Sequence, residues 1–493
     1  MKRRLITMLA SVAIAALCAA WPGGASLAAS GSGASPAASG GAWGNATELP
    51  GLDQLNQGGN ASVTSVSCPS PGNCGAGGWY SPAAGTLEAF VASEVNGSWE
   101  QPEQVPGSAG LDQGGAAVVT GMSCSSPGDC SATGTYQPSP KDQLPFVATE
   151  TNGTWGQAAK LAGLTALHTD KYIDFGSVSC ASPGNCSAGG SYEMAGQKFQ
   201  AFVVNQAGGT WGQAQEVPGT AALNAGAHAA TGYISCPAAG DCGADGQYTD
   251  ASGDTQVFVV SESDGTWGTA QELPGLATLN TSYAGGGPLS CSSPGNCGLG
   301  GTYTNSSGVE QAFVASQSAG TWTSAQQVPG TATLTASGAN VTAGGGANVT
   351  AISCPAAGDC AALGSYGGPS GITEAYAVTE SKGTWGTAAH LPGTASLSQG
   401  AIAYPTVISC ASPGNCGAGG YYDDTAGHLQ VFVATQTGGT WTPAEEIPGS
   451  AALNAGGSAA LNVMSCPTVG HCTAGGYYTT STYTQQGFTA TQP

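Results

Sequence analysis

An all-β chain folded as an eight-bladed β-propeller, closed by an N-terminal strand that pairs with the C-terminal blade, is what this 493-residue sequence predicts. Three observations carry the prediction. Cysteines fall in eight pairs of one spacing, C-x5-C, and the pairs repeat along the chain, Cys68 to Cys124 being 56 residues. Each unit reads as four short strands separated by turn chemistry. The ends are out of phase: the chain opens on "GAWGNATELPG" (residues 41–51), a relative of "GSWEQPEQVPG" around Trp99, and stops after the parts of the last unit that precede such a segment. A rod of units needs capping at both ends, whereas in a ring the early strand completes the last sheet and removes the open edges.

The elements follow in order. Lys2, Arg3 and Arg4, the apolar run Leu5–Ala20 and the small residues of "GASLAA" read as a cleaved secretory signal over residues 1–29. The run is short for a membrane anchor, and bulky Leu17 before Cys18 argues against lipoprotein processing. Residues 30–40 form a flexible Gly/Ser/Ala linker and 41–493 the propeller. The expected location is extracellular, with no membrane span. Strand A of the first unit ends at its first cysteine ("VTSVSC"), with Val66 and Cys68 on one face because alternate residues share a face. "PSPGN" is the A–B turn, "CGAGGWY" strand B and "EAFVASE" strand C. Asn96-Gly97 makes the next turn, and strand D is "SWEQPEQV", stopped by Pro-Gly. No segment shows helical periodicity.

The cysteine pairs are Cys68 and Cys74, Cys124 and Cys130, Cys180 and Cys186, Cys236 and Cys242, Cys291 and Cys297, Cys354 and Cys360, Cys410 and Cys416, and Cys466 and Cys472. An even count in an exported chain reads as disulfides, and the repeat favours bonding to the near neighbour. Zinc is disfavoured, since its cysteine ligands normally stand closer and no further ligands accompany the pairs. Other columns keep the same step: tyrosine from Tyr80 to Tyr478, an aromatic from Phe90 to Phe488, and tryptophan from Trp99 to Trp441, with Trp43 as the eighth. This strict register points to tryptophans packed between blades. Trp79 stands apart. Its column holds Thr135, Ser191, Gln247, Thr302, Ser365, Tyr421 and Tyr477, so it is expected at the surface as a ligand contact.

Charge narrows the function. The net charge of −21 becomes more negative by three once the leader is set aside, and no arginine remains beyond it. Binding to nucleic acid is excluded on that balance, and the usual bidentate group for carboxylates and phosphates is missing. The five histidines are scattered and form no HExxH pair. No cofactor or metal is expected. Asp423 and Asp424 are a candidate calcium pair, but adjacent loop acids are usually only solvated.

The C–D turns "SESDGTW" (Ser261–Trp267) and "TETNGTW" (Thr149–Trp155) resemble the Asp-box (BNR) repeat, S-x-D-x-G-x-T-W, with one residue fewer between Gly and Trp and the Asp usually replaced. The whole unit also resembles the Cys-containing, Gly-x-Trp propeller repeats of exported actinobacterial proteins. The resemblance implies a sialidase-type propeller. Sialidases of that group hold their substrate carboxylate with an arginine cluster, which this chain lacks. Other propeller glycosidases need two carboxylates across a cleft, and Asp170, Asp174, Glu193, Asp423 and Asp424 are available.

Comparing the units with one another locates a site. The A–B and C–D turns barely vary, while the B–C loops and D–A connections do, so the variable face is expected to recognise the partner. On it "HTDKYIDF" (His168–Phe175) gathers His168, Asp170, Lys171, Tyr172, Asp174 and Phe175, where another unit has "NAGAHAAT". The expected function is a secreted, non-enzymatic binding or scaffold propeller, a monomer whose partner is a glycan or cell-surface protein. The alternative is an extracellular glycosidase or lyase using paired carboxylates.

Overall fold

The structure, a computed structural model, describes residues 41–164, 167, 172–336, 346–368, 372–399 and 402–493. The predicted signal and linker lie outside these residues, as do His168, Asp170, Lys171 and most of the insertion around Ala339–Thr350.

Each unit is an antiparallel sheet, and eight of them make the propeller. In blade 1, strand A (Ala61–Ser70), strand B (Asn73–Tyr80) and strand C (Glu88–Val95) run outward in sequence order, followed by an outer strand D in two pieces, Ser98–Trp99 and Glu103–Gln104. Blade 8 has strands A (Ala460–Thr468), B (His471–Thr479) and C (Gln485–Gln492). It takes strand D, Thr47–Glu48, from the start of the chain, with Thr47 opposite Thr489 and Glu48 opposite Phe488. The ring therefore closes through the segment that began out of phase.

Two local features differ from the sequence reading. Strand D is broken rather than continuous, because the residue three after the tryptophan turns its amide to the preceding blade. Ala158 N–H donates to Pro106 O at 2.6 Å, Ala270 to Pro218 O at 2.7 Å and Ala46 to Pro448 O at 2.7 Å. Blade 1 has Pro102 at this position, which carries no N–H to give. The second difference is a single helical turn after each Pro-Gly, such as Leu52–Leu55, Thr220–Leu223 and Ser450–Leu453. Four residues are too few to show a period. Gly51 precedes the first of these turns at φ 81°, where a side chain would be strained.

The core lies between blades. Ala89, Val91 and Val105 of blade 1 meet Val119, Met122, the Cys124–Cys130 disulfide, Tyr136, Phe146 and Trp155 of blade 2. The same set recurs at every interface. All eight disulfides join near neighbours: Cys68 to Cys74, Cys124 to Cys130, Cys180 to Cys186, Cys236 to Cys242, Cys291 to Cys297, Cys354 to Cys360, Cys410 to Cys416 and Cys466 to Cys472. Each second cysteine is turned into the interface with the preceding blade. Cys297 packs between blades 4 and 5, Cys360 between 5 and 6, Cys416 between 6 and 7, and Cys472 between 7 and 8.

Glycine abundance has its reason here. A Cβ on Gly75 would come within 2.7 Å of Cys124 Sγ, so strand B stays thin where the next blade's disulfide presses on it. The register tryptophans pack as expected: Trp43 is 5% exposed, inside the interface of blades 7 and 8. The register tyrosines tie strand B to strand D, as where Tyr248 O–H donates to Glu272 at 2.8 Å, Tyr422 to Glu446 at 2.6 Å and Tyr478 to Glu48 at 3.2 Å.

One serine precedes every first cysteine, and it sews neighbouring strands A together. The N–H of Cys124 donates to Ser67 Oγ, that of Cys180 to Ser123 and that of Cys236 to Ser179, each at 2.9 Å. The pattern continues through Cys291, Cys354, Cys410 and Cys466, and closes where Cys68 N–H donates to Ser465 Oγ at 3.0 Å.

A second polar column sits near the A–B and C–D turns. The next-to-last residue of strand C in blades 1 to 7, and the last in blade 8, is Glu or Gln: Glu94, Glu150, Gln206, Glu262, Gln317, Glu380, Gln436 and Gln492. All are buried between blades, 4% exposed or less. The glutamines donate to the carbonyl three residues on, Gln206 to Gly209 O and Gln317 to Gly320 O at 3.3 Å each, and to a hydroxyl of the preceding blade, Thr149 at 3.0 Å and Ser261 at 3.2 Å. The glutamates accept from that preceding residue, as where Ser93 O–H donates to Glu150 at 2.8 Å. Glu94 and Glu380 each keep one buried oxygen without a partner. Burial pushes all four carboxyls above their ordinary 4.5.

Candidate functional site

The two faces differ in how their turns are held. On the uniform face the C–D turn donates to the A–B turn of its own blade, Gly97 N–H to Gly72 O at 2.8 Å and Gly153 to Gly128 O at 2.9 Å. Asn96 and Gly97 both have positive φ, 50° and 80°, the pattern of a type I′ hairpin. This coupling leaves the turns no freedom to vary. Clefts on this face are lined by the same disulfide turns, for instance Cys74, Cys130, Glu94 and Glu150 in one, and Cys416, Cys466 and Cys472 in another. They belong to the scaffold, and so do Cys297 and Cys360, which are 5% and 3% exposed. On the opposite face the start of strand C in seven blades makes a parallel bridge to the start of the next blade's strand A, for example Leu87 with Ala116, Gln143 with Tyr172, Leu429 with Ser458 and, at the closure, Gln485 with Asn60.

The loop expected to gather a site is partly dismantled by where strand A begins. In blade 3 that strand starts at Ile173, so alternate residues turn inward. Phe175, expected at the surface, is 2% exposed and packs on Phe202 at a centroid distance of 5.7 Å, inside the interface of blades 2 and 3. Asp174 is half-buried, and desolvation raises its carboxyl to about 6 against the opposing pull of the Phe175 N–H. Tyr172 meets the edge of Phe199 at 5.9 Å, and Phe199 in turn stacks on His228 at 4.8 Å. His168, Asp170 and Lys171 are outside the described residues.

Trp79 leads to a better-organised surface. It is half-buried at the variable end of strand B. Gly75 and Gly77 of that strand face blade 2, and Trp79 shares their side. Its column carries Tyr421 in blade 7 and Tyr477 in blade 8, both half-buried. Three consecutive blades thus present aromatic rings at one level beside the central opening. In blade 7 the strand A partner of Tyr421 is Tyr404, and their rings stack at 5.5 Å and 21°. The Tyr404 hydroxyl is fixed by Asn348 Nδ2 at 3.3 Å, one blade away. In blades 8 and 1 the strand A partners are the small residues Ala460 and Ser62. Tyr404 belongs to a mixed column (Ser62, Val118, Asp174, Ala230), and no sequence signal singled it out.

Across the opening, the Tyr233 backbone N–H donates to Asp245 Oδ1 at 2.9 Å. Asp245 stands where other blades carry Gly77, Gly189 or Gly300, and it is 1% exposed against Gly286 of blade 5, where a Cβ would collide with it. Burial drives its carboxyl up to about 8. Sealed in this way, it cannot reach a ligand in the opening. Asp424, the candidate calcium ligand, instead holds its own loop: it accepts from the N–H groups of Ala426 and His428 at 2.8 and 2.9 Å, which lowers its pKa. Among the described residues no three His, Cys, Asp or Glu side chains group as a metal site, and no helix is long and apolar enough to cross a membrane.

No family model matches the chain, and no curated protein matches it. Solved structures similar in architecture include a protein of unknown function from Dyadobacter fermentans (9% identity, TM-score 0.39, covering 92% of this chain and 99% of that one). Others are a Hadza microbial sialidase (13%, 0.36, 73% and 73%) and the fucose-specific lectin of Aleuria aurantia (13%, 0.34, 67% and 95%). The eight-bladed fold itself stands on the sheet order and closure of this chain.

Proposed function

We propose that the protein is an extracellular, non-enzymatic propeller that binds a glycan on its variable face. The observation that carries the reading is the arc formed by Trp79, Tyr477, Tyr421 and Tyr404. Exposed faces of half-buried aromatic rings, fixed on strands rather than loops, stack on the apolar C–H faces of sugars. Ser62, Asn348 and Asn462 are half-buried or nearly buried polar groups along the same inner strands, able to bond hydroxyls. The eight disulfides suit an oxidising compartment outside the cytosol. Kinship with the Asp-box group is part of the proposal, supported by the "SESDGTW" turn with Asp264 at φ 48°.

A glycan array probed with the wild type and with a Trp79→Thr/Tyr477→Thr variant tests the reading. Thr stands in this column in blades 2 and 5, so the fold accepts it. The expected result is binding by the wild type, without release of reducing ends, and loss of binding in the variant. Equal binding by both proteins would refute the assignment of the site, and sugar release would favour an enzyme.

A further inference from the structure

We infer that the arc holds one glycan chain, not a set of separate monosaccharides, with the chain running from blade 7 across blade 8 to blade 1. The inference rests on the glycan reading above and adds the form of the ligand. A propeller that binds single sugars blade by blade repeats the binding residue with the blade. Here the aromatic is confined to three consecutive blades, Tyr421, Tyr477 and Trp79, while the remaining five carry Thr135, Ser191, Gln247, Thr302 and Ser365. Confinement to neighbours marks a single elongated surface.

The spacing fits a chain. Facing sheets stand about 10 Å apart, close to the length of two linked pyranose rings. Each aromatic therefore meets every second sugar, and two such intervals from Tyr421 to Trp79 call for about five sugars. The stacked Tyr404–Tyr421 pair lies at one end, with Tyr404 pinned by Asn348. At the other end Trp79 pairs across the sheet with Ser62 of its own blade. Charge selects the class of chain. The protein is strongly acidic, and no lysine lies in this column or its strand A partners. Uronic or sialic acid units would meet repulsion with nothing to balance them, so the chain is uncharged.

The test is a length series of uncharged β-linked glucan and chitin oligosaccharides, from monosaccharide to heptasaccharide, titrated against the wild-type protein by calorimetry. Affinity should climb with length and level off near the pentasaccharide. In Trp79→Thr the plateau should come two sugars earlier, and the affinity for the longest member should fall about tenfold, the worth of one stacked ring. In Gln247→Ala, at the same register on the far side of the opening, both should stay as in the wild type. A plateau at the monosaccharide, or an unchanged plateau in Trp79→Thr, overturns the chain while leaving a glycan site standing. No binding by any member in either series overturns the glycan reading and this inference with it.

Discussion

Replacing Glu94, Glu150, Glu262 and Glu380 together by glutamine should stabilise the protein at neutral pH and flatten its pH dependence. The chain has already made the substitution, since Gln206, Gln317, Gln436 and Gln492 hold the same position in the other four blades. Each of the four glutamates is a buried carboxyl without a cation beside it: the only ion pairs among the described residues are His390–Glu374 and His428–Asp424. Glutamine adds a donor aimed at the carbonyl three residues on, here Gly97, Gly153, Gly265 and Gly383. One hydrogen bond added at each site is worth about 1 kcal/mol. The four lie in different interfaces, so the effects add, to about 4 kcal/mol, or several degrees in Tm.

The sign with pH follows from the raised folded-state values. A carboxyl whose folded pKa lies above its ordinary 4.5 contributes stability that is whole below 4.5 and is lost as pH rises through the folded value. The wild type should therefore gain Tm on acidification from neutral pH toward the ordinary 4.5, and the variant should gain less. A Glu445→Gln control, at an exposed position, removes acidic charge away from the four carboxyls. Thermal unfolding across that pH range reads the difference. If the variant melts no higher than wild type at pH 7, or its advantage is as large at pH 5, the reasoning fails.

Two further perturbations follow from the same interfaces. Asp245→Asn should remove a loss of stability that accumulates as pH rises from 3.8 to about 8, since the folded carboxyl holds its proton up to that value. Matching Tm slopes for wild type and variant over that range would argue against a sealed carboxyl. Deleting residues 41–51 should open the ring, because Trp43, Ala46 and Leu49 are at most 6% exposed and Thr47–Glu48 completes blade 8. Small-angle scattering should show an expanded particle with a large fall in Tm, and an unchanged Tm would exclude the closure.

Much of the scaffold was readable because its constraints recur. The Cys, Tyr and Trp columns stand out because each takes the same place in every blade. The Glu/Gln column recurs equally well, but polar residues at a strand end read as surface until a neighbouring blade is stacked over them. The site was only partly readable. Trp79 broke a polar column and could be noticed, whereas Tyr404 lies in a column where every blade differs. The stretch Tyr172–Phe175 looked like one exposed loop; the early start of strand A at Ile173 sends Phe175 into the core. One-turn helices were invisible because four residues show no period, and the broken strand D because it depends on a bond to the preceding blade.

The closure strand also has a history in time. Thr47 and Glu48 are synthesised long before their partners Thr489 and Phe488. Until then strand C of blade 8 does not exist, and the segment must travel unpaired while seven blades form. Its shortness then protects it: two ladder residues flanked by Pro50 and glycines are a poor template for a wrong partner. This contact is also among the most distant in the chain, and pairing of that kind is slow to form.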